Sequence, residues 1–464
     1  MSGITHQIPQ GAEGDINSSP NRAIWQDRHI DPEARKLLKR DERVFLHQSV
    51  STPCLSVIKK AEGLYIEDAG GKCYMDFHGN NVHHIGYGHP RLKAAITQQM
   101  ETLPFAPRRF TCDPAVELAE KLIEIAPKGH TGTELGKLLF TTGGSDAVEV
   151  ALAYARAATG RFKTVSFWDA YHGSGFGARS VGGEEMFRSG PIGPLLPGTE
   201  HVPPFGDYRN AWGVREGSAQ LCANTIRYVL EKEGDVAAVI AEPTRAVPYV
   251  APPGFWQEVR QACDDHGTLL IFDEIPTGLG KTGRMFSCEH DHVVPDMLVI
   301  GKALGGGILP IAATLVREDL DVAGDYAYGH YTHEKNPVTT RAALTTLQII
   351  EDEGLAENAA RQGQRALKRL HDMMDRHPLV GDVRGRGCLF GAELVLDRDS
   401  REPAREAADR VLYEALEQGL SFKTTMGNVL TFTPPLIVST EEMDRAMDIV
   451  EHSLERVERQ MGLI

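Results

Sequence analysis

The sequence has few cysteines, no long apolar run and an excess of acidic over basic residues. Its seven cysteines are scattered without a C-x-x-C pair, which argues against a disulfide framework or a zinc site and predicts free thiols in a reducing cytoplasm. No apolar run reaches the roughly 18 residues of a membrane span, and the amino-terminal segment lacks the apolar core of a secretory signal. The formal net charge of −15 argues against a nucleic-acid surface.

What remains is ordinary globular composition, with 41% hydrophobic and 24% charged residues. Short continuous apolar runs dominate the middle of the chain, and each ends on polar residues or glycine: KLLFTTGGSD, TVSFWDAYHG, VAAVIAEP, TLLIFDEI and MLVIGKALGGG. Helix-like stretches lie between several of them. Continuous apolar strands that alternate with helices are typical of a mostly parallel sheet covered on both faces. The sequence therefore predicts an α/β fold.

The character of the chain changes on both sides of this region. Residues 1–44 are polar and predict an arm with a helix near DPEARKLLKRDERVFL, whereas residues 80–340 contain the predicted parallel sheet. Residues 341–464 begin with a long helical stretch, continue with short strands and end in an amphipathic helix. We expect them to form a smaller α+β domain together with residues 45–79, which carry a hairpin signal around two consecutive glycines.

The polar ends of the predicted strands point to one site. In parallel sheets, ligands bind outside the carboxyl ends of the strands. The residues at those ends are Gly144, Ser145, Tyr171, His172, Glu242, Asp273 and Lys302. We expect them to lie at one edge of the sheet.

The chemistry of these residues is more specific in combination than singly. A lysine is most often a solvated surface residue, and an acid at a strand end can bind a metal, but no histidine or cysteine has ligand spacing around Asp273. Lys302 could form a Schiff base with a carbonyl compound. Gly144 and Ser145, just ahead of a helix, could cradle a phosphate. A lysine, an acid, an aromatic ring and a phosphate cradle together match the needs of pyridoxal 5'-phosphate.

These motifs resemble those of the class III aminotransferases, which have the aspartate-aminotransferase-like fold (fold type I), over roughly residues 45–460. By this resemblance, Gly144 and Ser145 of TTGGSDAVEVAL hold the cofactor phosphate and Tyr171 of AYHG stacks on the pyridine ring. Asp273 of IFDEIPTGLGKTG pairs with the ring nitrogen, and Lys302 of GKALGGGILP carries the cofactor. The segment HYTHEKNPVTTRAA resembles one that a neighbouring subunit contributes, which implies a homodimer, or a dimer of dimers, in which Thr332 reaches the partner's phosphate.

Other interpretations of the same residues stay open at this point. Asp273 could cap a helix and Tyr171 could be a core aromatic residue. Glu242 is expected near the cofactor but could be structural. His172 has no predicted role beyond that of a packed, hydrogen-bonded histidine.

The sequence departs from the aminotransferase pattern near the expected substrate. Thr431 occupies the position where many members carry an arginine for the substrate carboxylate, and Pro276 replaces the usual glutamine after Asp-Glu. Arg245 lies in TRAVPYVAPPG, where the family is usually glycine-rich and acidic, and it could face the substrate or be solvated or structurally paired. Arg108 and Arg109 of FAPRRFT lie in a segment that borders the substrate in this family. These arginines predict a displaced site for an anionic group on a small amine.

Some class III relatives are lyases rather than transaminases. The stretches MDFHGNNVHHIGYGHP and YGHYTHEKNP resemble the ammonia-lyase branch that acts on (R)-1-hydroxy-2-aminoethylphosphonate. This resemblance implies the release of ammonia and phosphonoacetaldehyde without a keto acid. The alternatives are an aminotransferase of amines or ω-amino acids with pyruvate, and a phospholyase of phosphoethanolamine-like substrates.

Overall fold

The computed structural model describes residues 19–129, 134–206 and 208–464. These residues form two compact units. One comprises residues up to Asn80 together with Gly86–Gly88 and Asn358–Ile464, and the other comprises Asn81–Ile85 and His89–Glu357. We call them the small unit and the large unit.

Helices account for much of both units. The α-helices are Pro20–His29, Pro32–Val44, Pro90–Thr102, Asp113–Ile125, Gly144–Thr159, Phe176–Val181, Glu185–Arg188, Ser218–Glu233, Phe255–His266, Pro337–Asp352, Leu355–Met374, Arg405–Glu417 and Thr440–Met461. Short 3₁₀ helices are Gly79–Asn81, Ser287–His290, Lys302–Gly305 and Glu318–Leu320. None of the helices in the described ranges is long and apolar enough to cross a membrane.

The large unit is built on a mixed, mostly parallel sheet. The spatial order of its strands is Leu135–Thr141, Ala312–Arg317, Met297–Ile300, Leu269–Asp273, Val236–Ala241, Lys163–Phe167 and Thr199–Val202. Within this order, Ala312–Arg317 is antiparallel to both of its neighbours, and the other strand pairs are parallel. All five apolar runs in the sequence form strands of this sheet, which confirms the predicted α/β fold.

Burial on both faces explains why these strands read as continuous apolar runs. Every residue of Val236–Ala241 and of Leu269–Asp273 is buried. The helix Gly144–Thr159 packs on the sheet through small residues such as Ala147 and Ala151, and it ends at Gly160 in the left-handed conformation with φ +65°, as glycine permits. This helix therefore has a fixed position relative to the strand ends.

Two strands of this sheet were missing from the sequence prediction. Thr199–Val202 is the edge strand TEHV, and only its last residue is buried, so it lacks the apolar run of a central strand. Ala312–Arg317 follows soon after the glycines that end the preceding run. It returns antiparallel beside Met297–Ile300 without an intervening helix, and a pattern of alternating strands and helices therefore does not reveal it.

The small unit contains two further sheets. One has the order Ile58–Glu62, Tyr65–Asp68, Cys73–Asp76 and Leu420–Ser421, and the other Val380–Arg386, Leu389–Asp397, Val429–Phe432 and Lys423–Thr425, with Glu402–Pro403 at its side. The hairpin predicted around Gly70 and Gly71 is formed by antiparallel pairing. Thr431 is fully buried, and its hydroxyl lies 2.8 Å from that of Thr425.

The boundary between the units differs from the expected one at residues 340 and 341. The large unit extends to Glu357, because the helix Pro337–Asp352 packs against the helices Pro90–Thr102 and Asp113–Ile125 of that unit. The helical stretch predicted to be continuous is two helices, broken at Gly354 with φ +57°. A glycine in the left-handed region ends a helix at little steric cost.

The described part of the amino-terminal arm is two helices that belong to the small unit. The expected helix is Pro32–Val44, which begins after Asp31 and uses its carboxylate as a cap for two main-chain N–H groups. A further helix, Pro20–His29, was not predicted. Ser19 and Asn21 at its start hydrogen-bond to Asp409 of the helix Arg405–Glu417, which anchors the arm.

Candidate active site

A helix amino terminus faces open space at one end of the large unit's sheet. The strand Leu135–Thr141 leads through Gly143 into the helix Gly144–Thr159. A Cβ atom added to Gly143 would meet nothing within 4 Å, whereas one added to Gly144 would lie 2.6 Å from the Ile275 side chain. The first-turn N–H groups have no partner within the helix and attract anions. This corner therefore has the geometry of a phosphate cradle.

Ser145 ties the cradle to the loop that carries Tyr171. Its hydroxyl accepts the main-chain N–H of Ser174 at 3.0 Å, and the Tyr171 and Ser174 hydroxyls lie 3.1 Å apart. Gly173 has φ +134°, and a Cβ there would lie 2.6 Å from the Ser145 hydroxyl oxygen. Only glycine permits this approach, so the half-buried Tyr171 ring is held beside the cradle.

The buried carboxylate of Asp273 contacts His172. The Nδ1–H of His172 donates to Asp273 Oδ2 at 2.8 Å, and the side chains are 0% and 2% exposed. Asp273 Oδ1 accepts the N–H of Ile275 at 3.0 Å. Sequence reasoning assigned His172 no function. The available signal was its place directly after Tyr171, beyond the carboxyl end of Lys163–Phe167, which lies at the same edge of the sheet as the end of Leu269–Asp273.

The two adjacent acids of the Asp-Glu motif have different surroundings. Glu274 accepts N–H groups from Ser287 at 2.6 Å and Cys288 at 2.8 Å, and burial raises its pKa to about 7. These contacts attach the following segment to the strand end. Glu274 is thus an anchor for the main chain, and Asp273 is the acid that contacts a titratable ring.

Lys302 follows the strand Met297–Ile300 and is exposed, with φ +44°, an uncommon backbone conformation for a residue with a side chain. Gly306 and Gly307 follow this turn at positions where other parts of the large unit approach the main chain closely. A Cβ at Gly306 would lie 2.3 Å from a Leu92 methyl, and one at Gly307 would lie 3.1 Å from the Val82 carbonyl oxygen. The glycines therefore allow residues 82–85 to pack directly under the lysine turn.

Glu242 is buried just beyond the strand Val236–Ala241, and its carboxylate accepts the N–H of Ala246 at 2.9 Å. This contact is the structural role that the sequence left open. It shapes the turn that carries Arg245.

Arg245 is a buried cation, with 4% of its surface exposed. Its Nη2 donates to the Asp169 carbonyl oxygen, and its guanidinium lies 5.5 Å from the centre of the Tyr249 ring. Its Nε has no hydrogen-bond partner, and among the described residues no carboxylate pairs with it. Buried arginines are normally paired with an acid. Asp169 precedes Tyr171 by two residues, so this cation lies close to the strand ends described above.

The remaining predicted residues lie on exposed segments of the large unit. Arg108 contacts His330 at 2.8 Å and Glu334 at 4.0 Å. Arg109 and Thr332 are exposed. Within the described ranges no contact joins Arg108 or Arg109 to Arg245, so the structure does not bring the three arginines together.

His84 lies within the segment that packs under the lysine turn. It is 1% exposed, its Nδ1–H donates to the Leu279 carbonyl oxygen at 3.1 Å, and its Nε2 has no hydrogen-bond partner in the part of the chain that the structure describes. Burial, together with the neighbouring Lys281, lowers its pKa well below 6.5. The folded protein therefore holds this ring neutral where the unfolded chain would protonate it.

We expect His84 to make the protein sensitive to acid. Between the unfolded pKa near 6.5 and the lower folded value, the unfolded chain binds more protons, so stability is lost as pH falls through this window, by at most about 1.4 kcal/mol per pH unit. His84→Asn can still donate to Leu279 but does not titrate. Urea unfolding at pH 7.5, 6.5 and 5.5 should show a weaker pH dependence in the variant. Equal slopes would contradict the assignment.

Comparisons with known proteins show which family this chain resembles. Residues 47–454 match the family description Aminotransferase class-III. The chain is 44% identical over 462 residues to the (R)-1-hydroxy-2-aminoethylphosphonate ammonia-lyase of Vibrio splendidus (strain 12B01), covering 96% of this chain and 95% of that protein. It is 33% identical to the isoleucine 2-epimerase of Lentilactobacillus buchneri, covering 92% and 95%. Among solved structures, the omega transaminase from Pseudomonas jessenii in complex with PMP superposes with a TM-score of 0.86 at 31% identity, covering 92% of this chain and 99% of that chain.

Proposed function

The chain belongs to the class-III aminotransferase family, and from that premise we propose that it is an ammonia-lyase that converts a small amino-phosphonate, best (R)-1-hydroxy-2-aminoethylphosphonate, to phosphonoacetaldehyde and ammonia. The cofactor is pyridoxal 5'-phosphate, as in the family. The proposal on the substrate is supported by the 44% identity to the Vibrio splendidus lyase and by the buried guanidinium of Arg245.

The large unit offers residues that fit this cofactor. Gly144 and Ser145 at the helix terminus would hold its phosphate, since the space above Gly143 is open. Asp273 would hold a proton on the ring nitrogen, and its contact with His172 fixes the carboxylate for this task. Tyr171 would lie against the ring, and Lys302 would carry the cofactor.

Arg245 carries the argument for an anionic substrate. An unpaired buried cation is destabilising unless a ligand supplies the missing negative charge. A phosphonate has several oxygens and matches the donor fork of a guanidinium. Arg108 and Arg109, which the structure does not bring to Arg245, remain proposed as further contacts for the substrate, and their exposure indicates a smaller contribution.

The chain's own groups have limited roles in the chemistry. When bound, pyridoxal phosphate withdraws electrons from the carbon beside the substrate nitrogen. Lys302 Nζ would take the proton from that carbon, and Arg245 would hold the phosphonate. The hydroxyl on the neighbouring carbon leaves as water, and the vinyl amine that remains takes up water and releases ammonia. Atoms balance without a keto acid or a redox partner.

The decisive experiment is an assay for free ammonia. The purified chain is incubated with (R)-1-hydroxy-2-aminoethylphosphonate in the absence of any keto acid, and we expect equal amounts of ammonia and phosphonoacetaldehyde. Amino transfer to pyruvate without free ammonia would establish the aminotransferase alternative. Phosphate release from phosphoethanolamine, with no reaction of the phosphonate, would establish the phospholyase alternative.

We expect Arg245→Gln to reduce kcat/KM for the phosphonate about ten- to a hundredfold. A charge-assisted contact contributes about 1.5–3 kcal/mol, and each 1.4 kcal/mol is a factor of ten. The amide of glutamine can still donate to the Asp169 carbonyl, so the loop contact is retained while the charge is removed. Steady-state rates with the phosphonate and with a neutral amine of the same length provide the measurement. Equal losses on both substrates would show that Arg245 acts only through structure.

We also propose that the protein is a homodimer in which Thr332 of one subunit approaches the cofactor phosphate of the other. The exposure of Thr332 supports this proposal, and a monomer in sedimentation experiments with the cofactor bound would contradict it. The seven cysteines form no disulfide among the described residues, which supports a reducing compartment such as the cytoplasm.

A further inference from the structure

The short helix Glu185–Arg188 packs against the loop that carries Tyr171. The rings of Phe187 and Tyr171 have centroids 4.4 Å apart at an interplanar angle of 49°, within the range of favourable aromatic contacts. The contact of Phe187 with one side of Tyr171 leaves the other side of that ring for a cofactor.

Main-chain contacts fix the spacing between this helix and the loop. The N–H groups of Gly183 and Glu184 donate to the Ala170 carbonyl oxygen at 2.8 and 3.0 Å. A Cβ at Gly183 would lie 2.2 Å from the Phe167 carbonyl oxygen, so glycine alone allows the approach. The main chain beside Tyr171 is therefore held close to the start of the helix that carries Phe187.

Arg188 fixes the other end of the same loop. Its Nη1 donates to the Gly182 carbonyl oxygen at 2.7 Å, and its guanidinium lies 5.1 Å from the centre of the Trp168 ring. Trp168 in turn stacks on His201, with centroids 4.6 Å apart. Burial, with the nearby Arg188, lowers the pKa of His201 to about 4, so this ring is neutral near pH 7 and does not repel the guanidinium.

From this geometry we propose that Phe187 is a positioning residue, which presses Tyr171 against the cofactor, and that Arg188 anchors the helix that carries it. The inference rests on the proposed place of Tyr171 beside the pyridine ring. It does not depend on the substrate, because Phe187 acts through Tyr171.

Cofactor affinity of the full-length chain tests the proposal. Equilibrium dialysis against pyridoxal phosphate should show that Phe187→Ala binds it about three- to tenfold more weakly, the range expected for loss of one aromatic contact. Phe187→Tyr keeps a ring at this position and should restore most of the affinity. Phe162→Ala is a matched control, since that ring is 53% exposed and lies outside the loop that carries Tyr171; the affinity of this variant should be unchanged.

A double-mutant cycle separates positioning from general damage. If Phe187 acts through Tyr171, Phe187→Ala should have no further effect on affinity in a Tyr171→Ala background. Equal losses in both backgrounds, or no loss in either, would overturn the proposal. The readout is the same for a lyase and a transaminase, so failure of the substrate assignment leaves this test intact, and its own failure leaves the substrate assignment intact.

Discussion

Replacing Lys302 with alanine is expected to abolish turnover and covalent attachment of the cofactor. The lysine is exposed at the carboxyl end of a central strand, where its amine is accessible to an aldehyde and to the proton of a bound substrate. Loss of a nucleophile that is also the general base should lower kcat by about 10³-fold or more. The cofactor should remain bound without a covalent bond, because the cradle and Asp273 are intact.

Two measurements check this expectation. Borohydride should fix the cofactor to the native chain, at the peptide that contains Lys302, and should fix none to the variant. Ammonia release should fall to background. Lys137→Ala is the matched control, since that lysine lies on a strand of the same sheet and pairs with Asp321 at its surface. Full activity in Lys302→Ala would end the assignment of this residue.

Asp273→Asn is expected to lower turnover by roughly a hundredfold or more while the fold is retained. A preorganised charge in a site that excludes water stabilises developing charge by several kcal/mol, and an amide of the same size cannot hold a proton on a ring nitrogen. Single-turnover rates of proton abstraction, measured with cofactor saturating, provide the test. The variant for comparison is Asp273→Glu, which keeps the charge and should recover part of the rate of proton abstraction. Unchanged turnover in Asp273→Asn would mean that another group holds the ring.

The parallel core could be predicted from the sequence because strands that are buried on both faces appear as continuous apolar runs. Val236–Ala241 and Leu269–Asp273 consist largely of apolar residues, and the place of such strands in a parallel sheet determines where their polar ends meet. Thr199–Val202 escaped prediction because this edge strand lacks an apolar run, and Ala312–Arg317 escaped it because it returns beside Met297–Ile300 without an intervening helix. The residue at the break between the helices Pro337–Asp352 and Leu355–Met374 is a glycine, but glycines also occur inside helices, so composition alone does not reveal it.

The candidate site could also be predicted only in part from the sequence. Residues with characteristic spacing, such as Asp273 and Lys302, could be named from motifs. The contact of His172 with Asp273 could not, because it joins side chains 101 residues apart. The burial of Arg245 without an acidic partner among the described residues was also hidden, since an arginine in a sequence gives no sign of which charges surround it.

The buried position of Arg245 sets the stability of the protein against the recognition of its substrate. An apolar side chain of similar volume would avoid the desolvation of an unpaired charge and would make the ligand-free protein more resistant to unfolding. Such a replacement would also remove the group that we propose recognises the substrate. A cation at this position therefore favours substrate recognition at the expense of the stability of the ligand-free protein. This is common, because proteins remain only as stable as their function requires.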